Sequence, residues 1–318
     1  MDFKLTKHKI PTPYLVGPVD IFEVEVAGKH LLFDTGPQTE IAQAYLDQHI
    51  DLKNLDYLFI THCHPDHYGL ARYIEQNSSA QVLLCERDAL LFERFEERCD
   101  FMVEEIHHMG FSKELILYFE GLIPQFQGDI PFVQSYETLE DSAQLLDDLG
   151  IAWMDCPGHS QTDIVYILGN RAITGDTLLR NIWTAPLLDM DVLEGGRFSN
   201  YRAYCTSGPK LMGLEGKEIL PSHNDWIESV PTQIRFYVEK TLKRAMTMLP
   251  LMRENLSYWE MAQRLFPKML DHHFKLYIKI GEMKFFQDFL EDPQALYQAM
   301  IQSGVMDESL EKKFQPFL

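Results

Sequence analysis

Four imidazole or carboxylate side chains stand within six residues at His62-Cys63-His64-Pro65-Asp66-His67. Borderline metals such as zinc take imidazole nitrogen and carboxylate oxygen as ligands, so His62-x-His64-x-Asp66-His67 reads as a metal-binding run and not as an apolar face. Three further segments have the same character: Gly158-His159-Ser160, Gly175-Asp176-Thr177 and Ser222-His223-Asn224. Each follows a short apolar stretch, at residues 151–155, 172–174 and 219–220, and the first run follows residues 55–60. Stretches of that length read as buried strands, and loops at strand ends are where side chains converge on one point. Pro65 argues against a helix or an internal strand across the run, so the sequence predicts a loop there.

The elements that must position these residues are legible in outline. Residues 16–26 alternate weakly, Ala27-Gly28-Lys29 makes a turn, and Leu31-Leu32-Phe33 forms a buried strand that ends at Asp34-Thr35-Gly36-Pro37. That pattern predicts an antiparallel pair. A helix is expected over residues 39–48, another from about Gly69 through Tyr73 and Ile74, and a strand over 81–85. Residues 87–126 are helical and amphipathic, with Phe92, Phe95, Met102 and Ile106 as apolar positions. They read as a helical insertion, about 87–130, lying over the site. Strands return at 151–155, 164–168, 172–174 and 219–220. From about Pro231 glycine becomes rare and helical stripes dominate. This predicts a catalytic domain over 1–230 and a C-terminal helical domain over 231–318.

Bulk properties limit the function classes. The chain has 318 residues, enough for one large domain or a large and a small one. It carries 28 basic and 48 acidic residues, a net charge of -20. Nucleic-acid affinity comes largely from Lys and Arg neutralising phosphates, so this balance disfavours a nucleic-acid partner. Residues 1–13 have no apolar core of signal-peptide type, and no apolar run is long enough to span a bilayer. Five cysteines without a CxxC pair do not describe a disulfide scaffold. The expectation is a cytoplasmic protein with reduced thiols and no membrane partner.

Asp34 in Phe33-Asp34-Thr35-Gly36, the run at 62–67, His159, Asp176 and His223 occur in an order that resembles the metallo-β-lactamase superfamily over roughly residues 10–228. The resemblance implies an α+β fold: an αββα sandwich of two mixed sheets with flanking helices, with a two-metal site along one edge. It implies that His62, His64 and His159 bind a first metal, that Asp66, His67 and His223 bind a second, and that Asp176 bridges them. Asp34 would support the ligands from behind. The implied cofactors are two divalent metal ions, zinc first, with iron and manganese also accepted by this ligand mix. The implied activity is that of a metal-dependent hydrolase, in which a metal-bridging hydroxide attacks an ester or thioester carbonyl of a small or acyl substrate. Asp66 is the candidate catalytic residue, orienting the water or relaying its proton.

Asp176 stands where many β-lactamases of this fold have cysteine, which points away from β-lactams, and His64 departs from the glutamate of redox-active diiron members. The site resembles those of glyoxalase II-like thioesterases, lactonases and processing nucleases. A phosphodiesterase or nuclease fits the same ligands but not the charge. A mono-iron persulfide dioxygenase would use the first site alone.

In the last third, Ser257-Tyr258-Trp259-Glu260-Met261-Ala262, Leu265-Phe266, Ile280-Gly281-Glu282 and residues 285–290 have a helix-turn-helix rhythm. It resembles the small winged-helix-like region appended to one branch of these hydrolases. Such helices would cover the cleft or mediate self-association, which leaves a homodimer open.

Substrate contacts are expected from Tyr68, next to His67, and from Trp183 in the apolar loop 181–190. One of Arg180, Arg197 and Arg202 could pair with an anionic substrate group. Cys63 should alternate away from its histidine neighbours. Cys156 reads as a strand-end core residue, Cys205 as part of a loop reaching the pocket, and Ser160 as a turn cap. His107-His108 and His272-His273 read as packing or solvated pairs.

Overall fold

Strands of two to eight residues, most of them apolar, form two sheets that face each other. The computed structural model describes residues 3–111, 113–128, 132–254, 256–270 and 272–318. The first sheet contains β1 (Phe3–Ile10), β2 (Val19–Val26), β3 (Lys29–Phe33), β4 (Tyr57–Phe59), β5 (Gln81–Leu84) and β6 (Glu137–Thr138), in that spatial order. β1 to β3 pair antiparallel and β3 to β6 parallel. The second sheet contains β7 (Ile151–Asp155), β8 (Ile164–Leu168), β9 (Arg171–Gly175) and β10 (Glu218–Pro221), in the order β10-β9-β8-β7. Only β9 and β10 run parallel there.

Both sheets are therefore mixed, and helices cover their outer faces. Between the sheets Phe33 stacks on Phe59 at 4.9 Å, and Tyr166 from the second sheet meets both edge-on. The Tyr166 hydroxyl donates to Ile60 O at 2.7 Å, which ties the sheets together just before His62. Behind the first sheet, Leu32, Leu58 and Val82 pack on α1 (Glu40–His49) and α3 (Ala71–Asn77) through Ala42, Leu46 and Ile74. Thr39 caps α1 by accepting from Ala42 N at 3.2 Å, the ordinary role of a threonine at that position. Helices α4 (Glu86–Glu93), α5 (Phe95–His108) and α6 (Lys113–Gly128) form the insertion, and residues 129 and 130 at its expected end lie outside the described residues. The αββα sandwich is the architecture expected from the sequence.

Four features depart from the sequence reading. Residues 65–68 are not a loop: Pro65–Tyr68 is a single helical turn, α2. Pro65 takes its first position, where a missing N–H costs nothing and the fixed φ suits a helix. β1 precedes the antiparallel pair as an edge strand. α7 (Ala143–Leu149) leads into β7, and α8 (Asn200–Leu211) lies behind the second sheet. Cys205 is consequently not in a loop; it is buried within α8.

The C-terminal helices are α9 (Val230–Met252), α10 (Tyr258–Leu265), α11 (His273–Glu291), α12 (Pro293–Gln302) and α13 (Glu308–Phe314). Among the described residues no strand follows β10, so the helices of a winged-helix-like region are present without a wing. Their apolar side chains form one cluster with Val165, Ala172 and Ile219 of the second sheet and with Trp183 and Leu188. α11 meets the loop 181–190 at Gly281. A Cβ there would stand 2.2 Å from Pro186 O, so only glycine permits the approach.

A second close approach fixes α2. A Cβ on Gly69 would lie 2.4 Å from Pro65 O and 2.5 Å from Gln38 N, both backbone atoms that cannot rotate aside. Gly69→Ala is expected to destabilise the fold by about 1–3 kcal/mol through overpacking, read as a lower urea midpoint. An unchanged midpoint would show that α2 tolerates displacement.

Candidate metal centre

All the candidate ligands leave the ends of strands on one edge of the sandwich. Asp34 ends β3 in the left-handed region, with φ at 62°, and turns its carboxylate inward. Its Oδ1 accepts from Thr61 N at 2.8 Å, and its Oδ2 accepts from the Thr61 hydroxyl at 2.8 Å. The same Oδ2 lies 2.8 Å from His67 Nδ1. Asp34 thus clamps the exit of β4 and orients a histidine whose Nε2 faces the centre, which is the arrangement typical behind metal-bound imidazoles. His159 is oriented by Ala185 O at 3.0 Å from its Nδ1, and His223 by Pro18 O at 2.8 Å from its Nδ1.

The inward atoms form two overlapping groups. His64 Nδ1 lies 3.1 Å from His62 Nε2 and 3.0 Å from His159 Nε2. His223 Nε2 lies 3.3 Å from Asp66 Oδ2, and His67 Nε2 is 3.8 Å from Asp66 Oδ1. Asp176 stands between the groups. Its Oδ1 is 3.4 Å from His67 Nε2 and 3.5 Å from His223 Nε2, while its Oδ2 is 3.6 Å from His159 Nε2. The triples His62/His64/His159, His62/His67/Asp176 and Asp66/His67/His223 each gather their ligand atoms within 4.8 Å.

This donor set fits divalent cations. Three buried atoms, His67 Nε2, Asp176 Oδ1 and His223 Nε2, have no hydrogen-bond partner among the described residues. Buried polar atoms are rarely left so, and a cation would satisfy all three at once. Burial, with His67 and His64 beside it, holds the His62 imidazole well below its usual range. Burial and His159 bring His64 down to about 3. Burial works against the charge of Asp66 and Asp176, but His67 and His223 outweigh it and keep both carboxyls below their usual range. At neutral pH the two aspartates are anionic and His62 and His64 are neutral, which are the forms that bind metal.

The cluster opens into a cavity of about 520 Å³. His64, Asp66, His159 and Asp176 border it, and so do both expected substrate residues. The Tyr68 hydroxyl is already engaged, accepting from Val133 N at 2.7 Å. Trp183 Nε1 donates to Thr241 Oγ1 at 3.1 Å, and its ring stacks on Phe286. Both therefore offer the cavity mainly carbon surface. Arg180 sits 3.7 Å from Glu228, and Arg197 is 2.6 Å from Asp288; neither they nor Arg202 border the cavity. Ser160 donates to Asp163 Oδ1 at 2.7 Å within a turn, as expected of a cap. Cys156 is buried in the core, and His107, His108 and His272 are exposed. The His273 side chain lies outside the described residues.

Two features escaped the sequence reading. Tyr14 borders the cavity; burial and the Asp66 carboxylate push its phenol up to about 12, so it stays a donor at neutral pH. Arg98 on α5 forks onto Asp189, with Nε 3.0 Å from Oδ1 and Nη2 2.9 Å from Oδ2. A signal for Arg98 was present. With Met102 and Ile106 it repeats every fourth residue on the buried stripe of α5, and a cation on such a stripe requires a buried partner.

Cys63 turns away from the ligands toward Asp88, as alternation predicts. Burial pushes the Asp88 carboxyl up to about 6, from 3.8 for a solvated one. Folding thus favours its protonated form. The stability it contributes is complete below the unfolded value and is lost as pH rises through about 6. Asp88→Asn is therefore expected to be more stable than the parent by about 2–3 kcal/mol near pH 8, with the gain vanishing near pH 4. Urea midpoints at the two pH values measure this; a gain of equal size at both would reject the assignment.

A model of the metallo-beta-lactamase superfamily matches residues 14–223. A protein of Ligilactobacillus salivarius (strain UCC118), named a UPF0173 metal-dependent hydrolase, is 26% identical over 240 residues, which cover 68% of this chain and 92% of that one. A metallo-beta-lactamase family protein of Thermus thermophilus superposes with a TM-score of 0.69 at 21% identity, over 89% of this chain and 93% of that one. A beta-lactamase domain protein of Burkholderia ambifaria gives 0.70 at 17% identity, over 90% and 86%. Coverage of that extent exceeds the first 230 residues, so at least part of the C-terminal helical region is shared with both.

Proposed function

Because this chain belongs to the metallo-beta-lactamase superfamily, as a metal-dependent hydrolase, we propose that it holds two divalent metal ions, zinc in the first instance, and cleaves an ester or thioester of a small or acyl substrate. The observation that carries the binuclear reading is the placement of Asp176, with one oxygen toward His67 and His223 and the other toward His159. His62, His64 and His159 would hold one ion, Asp66, His67 and His223 the other, and Asp176 both. Bound there, such ions supply Lewis acidity and a water of lowered pKa.

The protein's own groups do the rest. Asp34, Ala185 O and Pro18 O hold three imidazoles in one orientation, so no reorganisation is needed at the moment of reaction. Asp66 borders the cavity, and in this reading it would take a proton from the attacking water and return it to the leaving group. Tyr14, protonated beside Asp66, is a donor for a substrate oxygen. The apolar walls exclude competing water. Among the described residues no helix is long and apolar enough to cross a membrane, and we place the activity in the cytoplasm.

Elemental analysis of protein purified without chelators tests the reading first, followed by a panel of esters, thioesters and lactones. Two metals per chain with cleavage of at least one class is the expected result. One iron per chain with oxygen consumption would replace it with the persulfide dioxygenase. RNA cleavage lost on replacing Asp66, with no ester cleaved, would replace it with the nuclease.

A further inference from the structure

From the metal-binding cluster the cavity runs toward the helical insertion and α11. Its walls there are Leu91 and Phe92 of α4, Phe132, Ile182, Leu188 and Ile278 of α11. The polar groups along this stretch are engaged with one another. Arg98 is matched by Asp189. Gln161 Nε2 donates to Asp189 Oδ2 at 2.9 Å and to Met190 O at 2.8 Å, and its Oε1 accepts from Val192 N at 3.1 Å. The Tyr277 hydroxyl donates to Leu188 O at 2.8 Å. Arg98 is the one Lys or Arg on the lining among the described residues, and its charge is already balanced.

A substrate charge carried into this stretch would lose its hydration and find no counter-charge in exchange, which costs several-fold to many-fold in affinity. Carbon would lose nothing. A cavity of about 520 Å³ also exceeds what an acetyl group fills and lies within the range that encloses a drug-sized molecule. At the other end Leu15, 69% exposed, and Tyr14 stand on the rim, so a polar leaving group can remain in water.

Building on the hydrolase reading, we infer that the inner cavity is a binding site for an uncharged, apolar acyl chain, and that the substrate is a medium-chain acyl ester or thioester with its polar part outside. In the reaction water adds its hydroxyl to the acyl carbon, the acyl–oxygen or acyl–sulfur bond breaks, and the remaining hydrogen leaves on the alcohol or thiol. The selectivity comes from the apolar walls, which accept carbon and offer a charge no partner.

The test separates binding from hydrolysis. Straight-chain 2-alkanones, from butanone to tridecanone, carry the carbonyl and the chain but cannot be hydrolysed. Their affinities for the intact protein are read by calorimetry. The dissociation constant is expected to fall about fourfold for each added methylene until the cavity is full, then to level off. Ile278→Trp places an indole in the cavity and should bring the levelling point to a shorter chain; Leu91→Phe, on α4, serves the same purpose if the first variant does not fold. In parallel, kcat/KM is measured for the p-nitrophenyl esters from acetate to dodecanoate and for a succinyl ester. Affinity independent of chain length, a levelling point unmoved by both folded variants, or a succinyl ester cleaved as well as the hexanoyl one would overturn the inference while leaving the hydrolase standing. Chain-dependent binding with no ester or thioester cleaved would do the reverse: the site stands and the hydrolase reading falls.

Discussion

Asp176→Ala is expected to lower the metal content from two per chain to one or none and to reduce esterase activity by about a thousandfold or more. Removal of a single group that stabilises charge at a reacting centre typically costs about 10²- to 10³-fold, and Asp176 serves two metal positions at once. The carboxylate also balances His67 and His223, whose imidazoles lie within 3.5 Å of it. Without it, two buried imidazoles and any cation near them would keep only Asp66 and, behind His67, Asp34 as counter-charges. Elemental analysis and activity are measured on the same preparation. Asp176→Asn separates shape from charge: it should keep the fold and still lose metal. Full occupancy of both positions in the alanine variant would show that Asp176 does not bridge.

Asp189→Ala is expected to cost about 3–5 kcal/mol of stability, the loss typical when one member of a buried ion pair is removed and the other stays. Arg98 keeps only 7% of its side chain exposed, so water cannot take over the carboxylate's part. The same carboxylate accepts from Gln161 and from Met190 N, so three elements lose their common anchor. The urea midpoint measures the cost. The parallel change in kinetics is a rise in KM for long acyl esters with a smaller change in kcat, because the metal ligands are not touched. A stability loss below about 1 kcal/mol would mean that the pair is a surface contact in energetic terms.

The candidate metal-binding edge is far more legible in the sequence than its surroundings. Histidine and aspartate just past apolar runs leave few alternative roles, so His62, His64, Asp66, His159, Asp176 and His223 stand out as candidate ligands from type and position, and the structure gathers them; their division between two metals is what the family resemblance implies. The central strands are equally plain because both of their faces are buried, as in Ile164–Leu168. β1 escapes for the opposite reason. Its lysines face solvent and the acidic residues of β2, with Lys4 2.8 Å from Glu25 and Lys7 and Lys9 each 3.1 Å from Asp20. Lysine on an edge strand guards against pairing with another chain, and it also hides the strand from a hydrophobicity reading. α8 is hidden by Gly208 and Pro209 inside the helix. α2 is masked because proline, a breaker within a helix, is here its starter. The Arg98–Asp189 pair joins residues 91 positions apart, and no local pattern specifies such a partner.

The contact of Gly281 with Pro186 gives the C-terminal helices a hold on His159, one of the candidate metal ligands. Pro186 follows Ala185, whose carbonyl orients His159, and Gly281 lies on the same helix as Ile278. A chain pressing on Ile278 and a cation at His159 would therefore act on connected parts of the fold. Two ligands that bias one element are linked, and the linkage is reciprocal: each must change the affinity of the other by the same factor. On the proposed reading, metal affinity would be a property of occupancy as well as of ligand chemistry, and protein saturated with a 2-alkanone would release metal at a different chelator concentration from protein without it.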